Sequence, residues 1–125
     1  AFWRAGGIAP DFNHDEVLPR IADRTLSTIR DHAASKTDDP MFLFCCLPSP
    51  HTPWLPDEAF VGRSQAGMYG DYVMTVDAIV GDIMKTLQSS GMGEETLVIF
   101  TSDNGPEGRG TGGRTRGSTG GLRGR

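Results

Sequence analysis

The sequence lacks the features of a membrane protein and of a disulfide-rich secreted domain. Its 125 residues contain no apolar run of about 18 residues, the length that a membrane-spanning helix needs. The only two cysteines, Cys45 and Cys46, are adjacent, and disulfide geometry resists so short a loop. We therefore expect no membrane span and two unpaired thiols that act as small buried apolar side chains.

The sequence also lacks a methionine at its first position and an apolar leader segment. It begins at Ala1 and ends in a run of glycine and arginine with no closing element. A chain of 125 residues, 37% of them hydrophobic, is expected to form at most one small domain. We interpret residues 1–125 as part of one domain of a longer protein.

Negative charge predominates, but it is unevenly distributed. The net charge is −4, yet residues 107–125 contain five arginines and one glutamate. The acidic remainder argues against a nucleic-acid-binding domain. The tail also has eight glycines, a composition found in Arg/Gly-rich RNA-binding segments. Because it lacks repeated Arg-Gly-Gly units with interspersed aromatic residues, and directly follows a polar turn, we favour a flexible active-site loop.

The spacing of apolar residues predicts an α/β fold. Apolar residues three and four apart indicate helices over residues 19–34 and 70–90. The uninterrupted apolar runs 41–47 and 96–101 are typical of strands buried on both faces of a parallel sheet. Four prolines make residues 48–56 a loop. Strand, helix and strand in this order form a right-handed crossover, and such sheets bind ligands beyond the carboxyl ends of their strands.

Polar residues follow both predicted strands at that edge. His51 lies in the loop after the first strand, and Asp103 and Asn104 lie in the turn after the second. A histidine there can act as an acid or bind an anion, although an ordinary loop histidine fits the pattern equally well. A carboxylate and an amide carbonyl suit Ca²⁺ or Mg²⁺, but Asp-Asn-Gly-Pro is also a common turn composition. Spacing alone leaves these alternatives open.

Three stretches carry a family resemblance that extends over nearly the whole chain. They read "PMFLFCCLPSPHTPWLP", "GMYGDYVMTVDAIVGDIMKTLQSSGMGEETLVIFTSDNGP" and "GGLRGR". In this order they resemble the sulfatase family of the alkaline-phosphatase-like superfamily, in particular arylsulfatase-A-like bacterial enzymes. The resemblance implies an α/β sandwich with a mostly parallel sheet flanked by helices. It also implies the hydrolysis of sulfate monoesters.

The resemblance further implies roles for individual residues. His51 would contact the sulfate and assist the departing oxygen. Asp103 and Asn104 would be two ligands of a divalent cation, usually Ca²⁺, with Mg²⁺ as the alternative. The nucleophile would be a formylglycine, and a lysine of the family would follow directly after Arg125.

Cys46 begins a partial match to the family's nucleophile motif, Cys-x-Pro-x-Arg. The motif's last position is Pro50 here, and a proline cannot stabilise a bound anion as an arginine does. Cys46 also ends an apolar run, whereas a nucleophile is expected at the start of a helix. We therefore expect the formylglycine in an N-terminal segment outside this sequence, and we expect the isolated chain to be inactive.

The remaining expectations concern substrate, location and competing functions. The substrate would be a sulfated small molecule or a sulfated glycan, not a nucleic acid. A periplasmic or secreted location in bacteria is expected from the family, in preference to a lysosomal one. The first alternative is a phosphoryl or phosphonate ester hydrolase of the same superfamily. The second is a non-catalytic Arg/Gly-rich nucleic-acid binder.

Overall fold

The computed structural model describes residues 6–105 of the chain. In that part it contains two long helices, α1 (His14–Ser35) and α2 (Gly67–Ser89). Two short 3₁₀ turns, Glu58–Phe60 and Gly93–Glu95, precede and follow α2. Neither long helix has the length and apolarity that crossing a bilayer needs. The active-site loop predicted at 107–125 lies outside the described residues.

Helix α1 begins five residues before the predicted start at residue 19. Asn13 caps it, since its side chain accepts a hydrogen bond from the Asp15 N–H at 3.1 Å. Asp15 and Glu16 place negative charge at the positive end of the helix. Pro19 is the first residue of the predicted helix but lies inside the observed one. The cap and the acidic first turn therefore outweigh the backbone N–H that Pro19 lacks.

Helix α2 confirms the helix predicted at 70–90, with its ends shifted by three residues and one residue. Gly91 follows it in the left-handed conformation, with φ +76°. The Gly91 N–H donates to the Gln88 carbonyl at 3.1 Å, and the Met92 N–H donates to the Leu87 carbonyl at 3.0 Å. This pair of bonds is a Schellman motif, which satisfies carbonyls that the end of the helix leaves free.

The core lies between α1 and α2, which pack against each other. Helix α1 buries a stripe of residues four, three and four apart, namely Leu18, Ala22, Thr25 and Ile29. Helix α2 contributes Tyr72, Val76 and Leu87. Ile29 is only 1% exposed, and burial of such a side chain stabilises the fold by about 1.5–3 kcal/mol.

Neither predicted strand is a strand in residues 6–105. Residues 41–47 and 96–101 have no regular secondary structure there and form no ladder with each other. A strand buried in a parallel sheet needs hydrogen-bonded neighbours on both sides. The described part of the chain supplies none, so the strand predictions are wrong for this structure. The parallel sheet implied by the family resemblance stays a prediction.

No sheet covers the two apolar runs in the part of the chain that the structure describes, and both runs are largely exposed there. Phe42 and Phe44 are 92% and 78% exposed, and Leu97 and Ile99 are 84% and 77% exposed. Exposed apolar side chains at this density are unusual in a soluble monomer. We call residues 42–44 and 97–100 the exposed apolar segments.

The thiols also differ from the prediction. Both are unpaired as expected, but Cys46 is exposed and Cys45 is half-buried, so the prediction that both are buried is wrong. The Cys45 Sγ lies 3.3 Å from the Thr25 hydroxyl of α1. The first apolar run therefore passes along one side of α1, and Cys46 remains exposed.

Candidate active site at the proline-rich loop

The proline-rich loop holds His51 in a tight turn. The His51 N–H donates to the Pro48 carbonyl at 3.2 Å, and the peptide bonds before Pro50 and Pro53 are both cis. The His51 side chain is exposed, and its Nδ1 lies 2.7 Å from the Thr52 carbonyl oxygen. Because a carbonyl oxygen only accepts, this contact assigns a proton to Nδ1. The other ring nitrogen, Nε2, is left for a ligand.

A groove of about 280 Å³ lies beside His51, and we call it the His51 groove. The loop forms one wall through residues 51–53, Pro48 and Leu55. Residues at the start of α1 and one residue of α2 form the rest, namely Phe12, His14, Val17 and Tyr72. The lining residues near the start of α1 and those of the loop are 31 or more positions apart in sequence, and the fold brings them to one surface.

The start of α1 gives the groove an aromatic edge. The rings of Phe12 and His14 meet edge to face, with centroids 4.8 Å apart and an interplanar angle of 83°. Phe12 is 44% exposed, whereas Tyr72 is 5% exposed. No pattern in the sequence assigns a role to Phe12, His14 or Tyr72. Phe12 and His14 lie in a stretch whose glycines and prolines favour a loop, and Tyr72 lies within the helix predicted at 70–90.

Helix α2 fastens the segment that follows the loop. The buried Asp71 carboxylate accepts hydrogen bonds from the Gly62 N–H at 2.8 Å and the Ser64 N–H at 2.9 Å. The Asp57 N–H donates to the Thr75 hydroxyl oxygen at 3.0 Å. Hydrogen bonds from Ser64 and Gly62 hold the pKa of the Asp71 carboxyl below its ordinary value. An ionised Asp71 therefore fixes the chain downstream of His51.

Asp71 lies near the start of α2 but does not cap the helix. The residue at the cap position is Ala66, which makes no side-chain hydrogen bond to the helix. Asp71 lies one turn further along and binds the preceding segment instead. One signal in the sequence points to this role, because Asp71 stands directly beside the apolar face of the predicted helix. An acidic side chain at such a position is rarely buried unless its oxygens accept hydrogen bonds.

Asp103 and Asn104 lie in an exposed bend, as the turn interpretation expected. The Asn104 side-chain amide donates to the Gly105 carbonyl at 2.7 Å, and the Ser102 hydroxyl donates to the Asn104 carbonyl at 2.8 Å. Within residues 6–105, the Asn104 side-chain oxygen and the Asp103 carboxylate accept no hydrogen bond. Both are hard oxygen donors, so their chemistry fits Ca²⁺ or Mg²⁺.

The structure does not join the two predicted halves of the site. In residues 6–105, no hydrogen bond links His51 to Asp103 or Asn104, and no group of three His, Cys, Asp or Glu side chains could hold a metal ion. The expected proximity depended on two strands ending at the same edge of a sheet, and the described residues form no such sheet. Two oxygen ligands are also only part of the six to eight that Ca²⁺ takes.

Nearly the whole chain matches one family model, since the sulfatase model aligns with residues 10–123. The chain belongs to the sulfatase family. This sulfatase chain is 34% identical over 104 residues to the N-acetylgalactosamine-6-O-sulfatase of Bacteroides thetaiotaomicron, covering 83% of this chain and 20% of that protein. It is 40% identical over 92 residues to human arylsulfatase A, covering 72% and 18%.

A third relative is the N-acetylgalactosamine-6-sulfatase of Canis lupus familiaris, 42% identical over 76 residues, covering 61% of this chain and 14% of that protein. The chain thus spans about a fifth or less of the length of these relatives. No solved structure matches it. The family resemblance is confirmed, while the roles of His51, Asp103 and Asn104, the domain assignment and the periplasmic or secreted location stay predictions.

Proposed function

We propose that this chain forms part of an enzyme that hydrolyses sulfate monoesters, and that His51 protonates the departing alcohol oxygen. Membership of the sulfatase family supports the reaction class. The observation that carries the role of His51 is its ring geometry. The Nδ1 atom contacts the Thr52 carbonyl oxygen at 2.7 Å, and the exposed side chain leaves Nε2 accessible beside the His51 groove.

The chemistry of His51 follows from that contact. When the imidazole is protonated, Nδ1–H stays on the Thr52 carbonyl and Nε2–H becomes a donor. The departing alcohol oxygen gains negative charge as the ester bond breaks, and a donor within hydrogen-bond distance neutralises that charge. Such positioned proton transfer contributes about 10²–10⁴-fold in rate.

Asp103 and Asn104 would hold the divalent cation that the family implies. The cation, when bound, supplies positive charge that stabilises negative charge developing on the sulfate group. The Asn104 amide nitrogen donates to the Gly105 carbonyl, which orients the amide and leaves its oxygen as the ligand atom. The Asp103 carboxylate supplies the negative charge that a hard cation requires.

The chain's own cysteines do not supply the nucleophile in this proposal. Pro50 stands where the formylglycine motif requires arginine, and Cys46 lies in an exposed apolar segment. The formylglycine expected from the family would come from a residue other than Cys45 or Cys46. The isolated 125-residue chain should therefore turn over no sulfate ester, with or without Ca²⁺.

A comparison of a sulfate ester with a phosphate ester of the same alcohol tests the proposal. A complete protein that contains these residues and a Cys-x-Pro-x-Arg segment should hydrolyse 4-nitrophenyl sulfate and leave 4-nitrophenyl phosphate nearly untouched. Faster hydrolysis of the phosphate ester would favour a phosphoryl ester hydrolase and contradict the proposal. Saturable turnover by the isolated chain, lost in His51→Ala, would contradict the expected inactivity.

A further inference from the structure

A second groove lies along α1, and its lining combines thiols with cations. Its volume is about 320 Å³, and it lies between the first apolar run and one side of α1. Cys45 and Cys46 line it from the apolar run, and Arg20 and Arg24 line it from α1. We call it the thiol groove. It shares no lining residue with the His51 groove, so the two are separate surfaces of the described part of the chain.

The two thiols differ in their access to a partner. Cys45 is half-buried and its Sγ lies 3.3 Å from the Thr25 hydroxyl, whereas Cys46 is exposed. An accessible thiol can attack the sulfur of a small disulfide, and a thiol that is covered by its neighbours reacts more slowly. Cys46 is therefore the sulfur nucleophile that this groove offers.

The charges of the lining narrow the class of partner. No aspartate or glutamate of the described residues lines the thiol groove, although residues 1–106 contain fifteen of them against seven lysines and arginines. Arg20 forms an ion pair with Glu16, while Arg24 forms no ion pair within residues 6–105. The Arg24 guanidinium is thus available for a carboxylate, which an arginine can bind through two parallel hydrogen bonds. The groove is a cationic site on an acidic chain.

We propose that the thiol groove is a modification site, separate from ester hydrolysis, where Cys46 exchanges with small disulfides that carry a carboxylate. The Cys46 thiolate attacks one sulfur of the disulfide and forms a new sulfur–sulfur bond to it. The old sulfur–sulfur bond breaks, and the second sulfur leaves as a thiolate with the bonding electron pair. The proton released from Cys46 passes to solvent or to that thiolate. Arg24 binds the carboxylate of the attached half, while Ile21 and Phe44 provide apolar surface for its carbon chain.

The neighbouring thiol does not remove this adduct. Release would require Cys45 to attack Cys46 and to close a disulfide between adjacent residues, a loop that disulfide geometry resists. The contact with Thr25 also holds the Cys45 sulfur against α1. The product is therefore a mixed disulfide, one per chain, that an added reducing thiol reverses.

Three small disulfides of different charge test the proposal, namely dithiodipropionate with two carboxylates, hydroxyethyl disulfide without charge and cystamine with two ammonium groups. Each reacts with the 125-residue protein below about 1 µM, where few oligomers should form. Peptide mass spectrometry gives the rate at each cysteine, and division by the rate with N-acetylcysteine amide removes the intrinsic reactivity of the reagent. The normalised rate at Cys46 should fall from the anionic to the neutral to the cationic disulfide. Cys46→Ser should abolish the adduct, and Cys45→Ser should retain it.

Two arginine variants separate the effect of the groove from the charge of the whole chain. Arg24→Gln should lower the ratio of the anionic to the cationic rate by about 3- to 10-fold, and added salt should lower it as well. Arg30→Gln is the matched control, since Arg30 is an exposed arginine of the same helix that does not line the groove. It should leave the ratio nearly unchanged. An equal fall in both variants, no fall in Arg24→Gln, or a faster normalised rate for cystamine in the unaltered protein would overturn the proposal.

Discussion

Replacing the most exposed apolar side chains by threonine should convert an associating protein into a monomer. The five side chains belong to the exposed apolar segments and are 71% to 92% exposed, namely Phe42, Phe44, Leu97, Ile99 and Phe100. Each would gain about 1.5–3 kcal/mol from burial, so the five together represent about 10 kcal/mol of unrealised burial. That is comparable to the whole stability of a small domain, about 5–15 kcal/mol.

Self-association is the available route to this burial in the isolated chain. Unpaired extended segments rich in β-branched and aromatic residues also offer free backbone groups to a second copy. We expect the unaltered chain to form oligomers in sedimentation velocity experiments between about 1 and 100 µM, the range that corresponds to free energies of roughly −8 to −5 kcal/mol. Threonine keeps the β propensity of the segments while removing their apolar surface.

The control variant changes four exposed apolar residues outside these segments, namely Ile8, Val61, Met68 and Met84, which are 48% to 68% exposed. Its association should match that of the unaltered chain. A monomer at every concentration before any substitution would refute the reasoning. If the control substitutions abolish association as fully as the threonine substitutions do, the exposed apolar segments are not responsible for it.

Three further predictions concern single sites. Asp71→Asn should loosen the segment before α2. Because folding lowers the pKa of the Asp71 carboxyl, its contribution to the free energy of unfolding is complete above the unfolded pKa of about 3.9. That contribution is lost as the pH falls through the folded pKa. NMR shifts of the two amides bound to Asp71 should follow that titration. Calcium should bind the isolated chain only with a dissociation constant of about 10⁻³ M or weaker, because Asp103 and Asn104 are two of the required ligands. Iodoacetamide should alkylate Cys46 before Cys45, because Cys46 is exposed and Cys45 contacts α1.

Each of these has a result that counts against it. Amide shifts that titrate equally in the asparagine variant would mean that another carboxylate holds the segment. Micromolar calcium affinity in calorimetry, unchanged in Asp103→Ala, would place the cation elsewhere on the chain. Equal alkylation rates at Cys45 and Cys46, read by peptide mass spectrometry, would mean that the first apolar run does not stay against α1.

The helices were predictable because their signals are local. Apolar residues three and four apart predicted both helices, and a glycine such as Gly91 is typical of the residue that follows a helix end. The predicted start of α1 is too late because proline favours the first turn of a helix, whereas Asn13 and two acidic residues start this helix earlier. Helix boundaries depend on single hydrogen bonds, which a periodic pattern does not record.

The strands and the site could not be predicted in the same way. The run at 41–47 has the composition of a buried strand, but strand formation requires partners that residues 6–105 do not provide. The proline-rich composition located the loop that carries His51. The groove beside it also needs Phe12 and Tyr72, and only the packing of α1 against α2 brings these residues to the loop.

The most direct test of the central claim compares leaving groups in a complete sulfatase that contains these residues. If His51 protonates the departing oxygen, His51→Ala should reduce kcat/KM for an alkyl sulfate by about 10²–10⁴-fold, because an alkoxide leaves poorly without a proton. The loss for 4-nitrophenyl sulfate should be much smaller, because that phenoxide is stable. Equal losses for both esters, or no loss for the alkyl ester, would contradict the assignment of His51.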